Sequence, residues 1–324
     1  MYRQRQAVLL TLLVVLFWGT AASAFKIALR QVSPYTLLVW AAAVSTCALL
    51  LILLGRGQLG RLRALPRPVL VRAALLGLLN PFLYYLVLFK AYSLLPGQIA
   101  MALNYGWPLV LTLLSVPILG QRLSRGQLAA VGVSFVGAVL IATRGQLTHF
   151  GGLSGTGLLF AGGSTLLWAL FWLGNARDGY DPVVKLFVGF CTGLVAALLA
   201  SPLFGGLVLP PPAAWPALVY IGLFEMGLTF VLWLSALQLA TTTARITNLV
   251  YLTPFLSLCF LRLVIGEPIH PATAIGLAAA IPAYIAYNKF SIDAGKFTGR
   301  LEAFADDLQA AVARRLGSPS TPPP

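Results

Sequence analysis

The chain has 324 residues, of which 59% are hydrophobic and 9% are charged, and its formal net charge is +14. A soluble domain carries about a quarter charged residues, so the composition excludes a soluble globular protein and predicts an all-α integral membrane protein. The basic excess does not indicate nucleic-acid binding, because Lys and Arg stand at the ends of apolar runs rather than in an aromatic-rich patch. Three cysteines lie in separate apolar runs without metal-ligand spacing, so they predict neither a metal site nor a cofactor: Cys47, Cys191 and Cys259.

Ten apolar runs along the chain are each long enough to cross a bilayer, which takes about 20 mainly apolar residues in a helix. Turn and charge signals such as RQVSP, ARDGYDP and GEPIHP separate them. The lipid bilayer is therefore the first expected partner. In chain order, the predicted spans 1 to 10 cover residues 7–27, 35–54, 70–92, 96–119, 126–143, 155–176, 183–203, 214–237, 242–264 and 271–288.

The basic residues predict how these spans are oriented. With the N-terminus in the cytoplasm, 17 of the 22 Lys and Arg fall on the inner side, and the outer side receives five: Lys26, Arg30, Lys90, Arg144 and Arg262. Because Lys and Arg favour the cytoplasmic side of a membrane, this distribution predicts cytoplasmic N- and C-termini in the cell (inner) membrane. Lys26 lies close to the outer surface, where we expect its ammonium group to reach toward water.

The first span has one rival interpretation. Residues 1–25 begin with basic residues, continue with an apolar core and contain the tripeptide ASA near their end, a pattern typical of a cleavable signal peptide. We interpret the segment as span 1, because Trp18 within it has a counterpart in a later span. A mature N-terminus near Phe25 would contradict the ten-span arrangement.

Spans 3 and 4 are repeated as spans 8 and 9. The segment LLGLLNPFLYYLVLFKAYSLLPGQ aligns without gaps with YIGLFEMGLTFVLWLSALQLATTT, which places Asn80 on Glu225 and Tyr84 on Thr229. After one inserted residue, YGWPLVLTLLSVPILGQ aligns with YLTPFLSLCFLRLVIGE. Five spans thus precede five similar spans, and the odd number makes the second copy enter from the opposite face. The chain predicts a 5+5 inverted-topology repeat around a central cavity, an architecture typical of secondary transporters.

The repeated residues resemble a known family. Each copy has a tryptophan in its first span and an A…P…G(E/Q) pattern across its third to fifth spans: Trp18, Ala91, Pro108 and Gly120-Gln121 in the first copy, and Trp168, Ala236, Pro254 and Gly266-Glu267 in the second. The chain therefore resembles the drug/metabolite transporter (DMT) superfamily, EamA type, over residues 7–288. The resemblance implies a transporter with two EamA-type repeats, residues 1–145 and 146–288. Gln121 departs from the glutamate usual in such repeats, which suggests that transport needs no carboxylate at that end.

Polar and aromatic side chains near the middle of the spans predict the substrate pathway, because residues three or four apart share one helix face. Single Trp and Tyr residues in membrane proteins are commonly interfacial anchors, but mid-span position and repeat symmetry favour a cavity lining here. Tyr85 is expected to point elsewhere. The predicted substrate-binding residues are Trp18, Asn80, Tyr84, Asn104, Trp107, Trp168, Trp172, Glu225, Asn248 and Tyr251.

Glu225 stands in the middle of span 8, where a charged carboxylate costs at least about 2.5 kcal/mol. Two interpretations stay open. The group either accepts a proton or binds an amine, or it is a protonated hydrogen-bond partner of Asn80 or Asn248. The predicted hinge residues are Gly106, Pro108 and Pro254, although both prolines also fit plain structural kinks.

Residues 289–324 change in character. Leu301, Phe304 and Leu308 recur at helical spacing with charges between them, which predicts a cytoplasmic amphipathic helix, and GSPSTPPP predicts a disordered end. Spans 5 and 10 are rich in Gly and Ala, which suits close packing within the scaffold; the same face leaves a monomer and a weak dimer open. His149 and His270 lie in loops far apart in sequence and do not predict a metal site.

The predicted function is a secondary transporter that moves a small, largely apolar molecule by alternating access. The predicted site contains aromatic rings, amides and one acid, which fit an aromatic or other neutral amino acid. Anionic substrates would need Arg or Lys at the middle of the membrane. Protons are one candidate coupling ion. The chain is also similar to the aromatic amino acid exporters of the EamA type, which implies export. Another metabolite or drug, and a passive facilitator, stay open. An intramembrane enzyme would need a nucleophile–base pair or metal ligands at depth, so we expect no enzyme.

Overall fold

The computed structural model describes residues 2–107, 153–175, 180–239, 249–250 and 252–278, together with a few helical positions between 110 and 140. Within this part of the chain every regular element is helical and there is no strand. The all-helical expectation is confirmed, as is the expectation of many apolar helices. The tail after residue 288 and most of span 5 lie outside the described residues.

The described part of the N-terminal half contains six α-helices and one irregular segment, which we call a wide turn. Ser33 begins the second helix, because its hydroxyl accepts the Thr36 backbone N–H and Pro34 fits the first helical position. Gly57 lies just beyond that helix with a φ of +63°, a conformation that only glycine adopts without strain. The elements are α1 (Tyr2–Leu29), α2 (Pro34–Gly55), α3 (Leu59–Arg63), α4 (Arg67–Gly77), the wide turn Leu78–Leu83, α5 (Tyr84–Leu94) and α6 (Gly97–Asn104).

The described part of the C-terminal half is also made of helices and short helical turns. Asp181 caps α8, since its carboxylate accepts the backbone N–H of Val183 at 2.9 Å and of Val184 at 3.4 Å. The elements are α7 (Gly155–Asn175), α8 (Pro182–Leu199), two short 3₁₀ turns (Ser201–Phe204 and Pro212–Ala214), α9 (Trp215–Tyr220), the wide turn Ile221–Gly227, α10 (Leu228–Leu239), α11 (Leu252–Phe260) and the wide turn Leu261–Ile265. Residues 271–278 are also helical.

Five described helical segments are long and apolar enough to cross a membrane: Arg3–Leu29, Pro34–Gly55, Arg67–Leu94, Pro182–Leu199 and Pro212–Ala236. They coincide with predicted spans 1, 2, 3, 7 and 8. Two shorter apolar helices, Gly155–Phe171 and Leu252–Ile265, overlap predicted spans 6 and 9. Large leucines on these helices are exposed, including Leu51 at 67% and Leu159 at 78%. Such apolar exposure suits a lipid-facing surface, so the protein is a multi-pass membrane protein.

The described helices pack mainly across the boundary between the two halves. Helix α1 lies against α10 and α11, α5 packs on α7, and α8 packs on α2 and α4. The α4–α8 contact is very close: a Cβ at Gly77 would lie 2.2 Å from the Gly189 carbonyl oxygen. Small residues let membrane helices approach in this way. The boundary between the halves is therefore where the buried core of the described part lies.

Two of the wide turns stand at equivalent positions of the aligned sequence halves. Leu78–Leu83 contains Asn80, and Ile221–Gly227 contains Glu225, the residue aligned with it. Asn80 interrupts the helical backbone with φ −147° and ψ 117°. The Ile221–Gly227 segment has the wider π-helical turn that is frequent at functional sites, whereas Leu78–Leu83 is a kink between two helices. The fold thus presents one polar side chain from each half at a break in helical regularity.

Candidate functional site

Aromatic rings from both halves meet at the boundary between them. The rings of Tyr84 on α5 and Trp168 on α7 have centroids 4.6 Å apart, and Trp168 lies 5.6 Å from Phe230 on α10. Trp18 on α1 then lies 6.3 Å from Phe230 and 6.1 Å from Trp233. These spacings are those of favourable aromatic pairs. We call these five residues the aromatic row.

A short chain of hydrogen bonds holds one end of the aromatic row. The Tyr84 hydroxyl donates to Asn104 Oδ1 at 3.3 Å, and Asn104 Nδ2 donates to Ser164 Oγ at 2.9 Å. Ser164 in turn donates to the Ala161 carbonyl oxygen at 2.7 Å. Both ends of the Asn104 amide are therefore engaged, and α5, α6 and α7 are linked at the same level. Asn104 orients the Tyr84 ring; the sequence did not single out Ser164.

Glu225 lies beside this aromatic row and is 7% exposed. Its Oε1 accepts a hydrogen bond from the Tyr85 hydroxyl at 3.4 Å, and its Oε2 has no hydrogen-bond partner. The expectation that Tyr85 points elsewhere is wrong, because its side chain is fully buried against the acid. Tyr85 aligns with Phe230, a member of the aromatic row, but the sequence singled out neither residue for the site.

Asn80 is not the partner of Glu225. Its side chain is 1% exposed, and neither its Oδ1 nor its Nδ2 has a hydrogen-bond partner. Of the two candidate partners of a protonated Glu225, Asn80 is therefore wrong, and Asn248 lies outside the described residues. A buried amide without partners is costly, because it has lost its bonds to water without replacing them. Asn80 thus offers one donor group and one acceptor group to whatever enters its surroundings.

Some of the remaining predicted residues lie in the part of the chain that the structure describes, and others lie outside it. Trp107 is half-buried and packs against the main core, as does Trp18. Gly106 follows α6, where a Cβ would lie 2.9 Å from the Leu103 carbonyl oxygen. Pro254 is buried in α11, the helix that packs against α1. The side chain of Trp172 and the whole of Pro108, Asn248 and Tyr251 lie outside the described residues.

Polar contacts also join the halves at one end of the helices, in a cluster that we call the Glu267 clasp. The Glu267 carboxylate accepts the backbone N–H of Gly97 at 2.9 Å and of Gln98 at 3.3 Å, at the start of α6. Lys26 Nζ lies 3.8 Å from the same carboxylate and donates to the carbonyl oxygens of Tyr92 and Leu95. The expectation that Lys26 reaches toward water is wrong, because the end of α5 supplies these acceptors.

A second cluster, the Asp181 clasp, joins the halves at another place. Arg61 Nη1 lies 2.8 Å from Asp181 Oδ2, and Gln58 Nε2 donates to the same oxygen at 3.1 Å. Under the predicted topology this clasp lies on the cytoplasmic side and the Glu267 clasp on the outer side. Within the described ranges no group of three or more His, Cys, Asp or Glu side chains is arranged to hold a metal ion.

The chain is similar to a family of transporters, to individual exporters and to a solved structure. The family described as the EamA-like transporter family matches residues 5–143 and 155–288. An aromatic amino acid exporter, YddG, of Ancylobacter novellus is 27% identical over 85% of this chain and 93% of its own. A probable terminal-alkyne amino-acid exporter of Streptantibioticus cattleyicolor is 26% identical over 88% of this chain and 94% of its own. One solved crystal structure shares the fold, with a TM-score of 0.64 at 23% identity over 97% of this chain and 100% of that one.

Proposed function

Because the chain belongs to the EamA-like transporter family, we propose that it is a secondary transporter that exports aromatic and other neutral amino acids by alternating access. The observation that carries this proposal is the aromatic row, whose rings come from both halves and, apart from the half-buried Trp18, lie buried where rocking halves would meet. Flat apolar surfaces of this kind suit an aromatic substrate side chain. The amino acid export named for two relatives supports the same substrate class.

The proposed topology has ten spans in the cell (inner) membrane, with both termini in the cytoplasm. Residues 1–145 and 146–288 form two inverted repeats, and residues 289–324 form a cytoplasmic amphipathic helix with a disordered end. The distribution of Lys and Arg supports this orientation. The two wide turns at aligned positions support the repeat.

The two clasps suit the closing contacts of an alternating-access cycle. Each joins one half to the other: Lys26 and Glu267 in one, Arg61 and Asp181 in the other. Under the proposed topology they close opposite sides of the membrane. Opening one clasp while the other stays closed would expose the aromatic row to one side at a time, which is what alternating access requires.

Uptake into proteoliposomes that contain the purified chain tests this proposal. Labelled Phe, Trp, Thr and Met would be offered with and without internal unlabelled amino acid and with and without a pH gradient. We expect saturable uptake that is fastest for Phe and Trp and is accelerated by internal substrate. Uptake that neither saturates nor responds to internal substrate would indicate a passive facilitator. No uptake of any amino acid would indicate a different metabolite or drug.

A further inference from the structure

One carboxylate oxygen of Glu225 is buried without a hydrogen-bond partner in the described core. Oε1 meets the Tyr85 hydroxyl, whereas Oε2 meets no donor. Neither ion pair of the described part involves this acid, since one joins Lys26 to Glu267 and the other joins Arg61 to Asp181. Acids inside membrane proteins are rare and costly, and they commonly mark substrate or ion pathways. The arrangement therefore leaves room for a donor that the described protein does not supply.

The surroundings of this oxygen indicate what kind of donor fits. The Tyr85 ring lies 4.8 Å from the Tyr84 ring, and Tyr84 begins the aromatic row through its contact with Trp168. A carboxylate thus lies next to a run of aromatic rings that contact one another. A cation is attracted both by the carboxylate and by ring faces, and an ammonium group has the N–H donors that Oε2 lacks.

We propose that Glu225 Oε2 binds the ammonium group of the transported amino acid, while the side chain of that substrate lies on the aromatic row. This inference rests on the proposed transport of amino acids. Tyr85 is a positioning residue: its hydroxyl donates to Oε1 and so turns Oε2 toward the substrate. Selectivity then has two parts, a cationic end recognised by the acid and an apolar end recognised by the rings.

Three ligands distinguish recognition of the cationic end of the substrate from recognition of its apolar end. Phenylalanine carries the amine, the carboxylate and the ring; phenethylamine lacks the carboxylate; 3-phenylpropionate lacks the amine. Dissociation constants for all three would be measured by calorimetry on the purified full-length chain. The variant is Glu225→Gln, and the matched control is Glu302→Gln, the same chemical change in the predicted cytoplasmic tail.

We expect Glu225→Gln to weaken phenylalanine and phenethylamine by about tenfold or more, because a charge-assisted hydrogen bond is lost. Binding of 3-phenylpropionate should not weaken, because this ligand has no ammonium group for the acid to bind. Glu302→Gln should leave all three constants unchanged. Retained 3-phenylpropionate binding also reports that the variant is folded.

Several outcomes would overturn the inference. Equal losses for all three ligands would mean that Glu225 supports the fold, and no loss for the amines would mean that it does not bind them. If amine affinity survives but uptake no longer responds to a pH gradient, Glu225 is a proton site instead. Wild-type protein that takes up no amino acid would refute the proposed function itself.

If Glu225→Gln does not fold, a second variant, Tyr85→Phe, tests the proposed binding of the ammonium group. Tyr85→Phe keeps the ring and the acid but removes the hydroxyl that positions it. We expect about a threefold loss for the two amines and none for 3-phenylpropionate, since only the long 3.4 Å hydrogen bond that positions the acid is removed. Loss of affinity for 3-phenylpropionate, or unchanged affinity for both amines, would contradict the assigned role.

Discussion

At the scale of single residues, Trp168 connects Tyr84, at one end of the aromatic row, to Phe230. Its ring contacts Tyr84 from the N-terminal half and Phe230 from its own half. Removing it would leave a cavity between the halves and separate the remaining rings. A substrate side chain would then lose its central stacking surface. This makes Trp168 the most informative single substitution in the row.

We expect Trp168→Ala to lower Phe uptake by about tenfold or more, because an aromatic contact and its buried area are both lost. Trp168→Phe should retain most of the uptake. The matched control is Trp215→Ala, since Trp215 pairs with Trp40 away from the row. Initial rates in proteoliposomes check the prediction. Equal rates for Trp168→Ala and wild type would mean that the ring only packs.

The residues of the site could be predicted only in part. Tyr84, Asn104, Trp168 and Trp18 were predicted from their polarity or aromaticity in the middle of apolar spans, and the structure brings them to one boundary. Tyr85 was misplaced. Regular helical spacing assumes about 100° per residue, whereas the kink at Asn80 separates α4 from α5 and sets the rotation of α5 independently. Sequence periodicity cannot detect that rotation.

At the scale of helices, the close contact between α4 and α8 depends on glycine. A Cβ at Gly77 would lie within 2.7 Å of three backbone atoms of Gly189, so α4 must move away if any side chain is added. In α3, by contrast, a Cβ at Gly60 would meet nothing within 4 Å. The two glycines therefore form a matched pair for one substitution.

We expect Gly77→Ala to destabilise the protein by about 1–3 kcal/mol, the usual effect of overpacking, and Gly60→Ala to have little effect or to stabilise it slightly. The melting temperature in detergent, followed by tryptophan fluorescence, checks both variants. If Gly77→Ala melts at the wild-type temperature, α4 and α8 do not approach as closely in solution.

The Glu267 clasp gives a second prediction at this scale. Lys26 and Glu267 contact each other but also have separate backbone partners, so the two side chains should be energetically coupled. We expect Lys26→Met and Glu267→Gln each to lower the melting temperature. The double variant should lose less than the two single losses combined, by about 0.5 kcal/mol for this partly exposed pair. Strictly additive losses would show that the ion pair contributes nothing.

At the scale of the whole molecule, the proposed orientation predicts which loops face the outside of the cell. Leu209 and Arg63 are both exposed, and the ten-span topology places the first outside and the second in the cytoplasm. In a variant without Cys47, Cys191 and Cys259, a single cysteine would be introduced at either position. A membrane-impermeant maleimide should label Leu209→Cys in intact cells and Arg63→Cys only after permeabilisation. The reverse pattern would contradict cytoplasmic termini.

The amino-acid sequence by itself determined the class of the protein and the general character of its fold. Long apolar runs require helices in a bilayer, because the lipid interior offers backbone groups no other partner. The repeated motifs resemble those of the transporter family to which the chain belongs. These conclusions depend on local composition and on similarity between segments, both of which are visible in one dimension.

Only the tertiary structure decided which side chains meet. Glu225 bonds to Tyr85, 140 residues away along the chain, and Glu267 caps a helix 170 residues away. Neither pairing follows from spacing, because helices from different halves can pack at many rotations and depths. Close glycine contacts, wide turns and buried hydrogen bonds select one arrangement among these, and such terms depend on distances that the sequence does not contain.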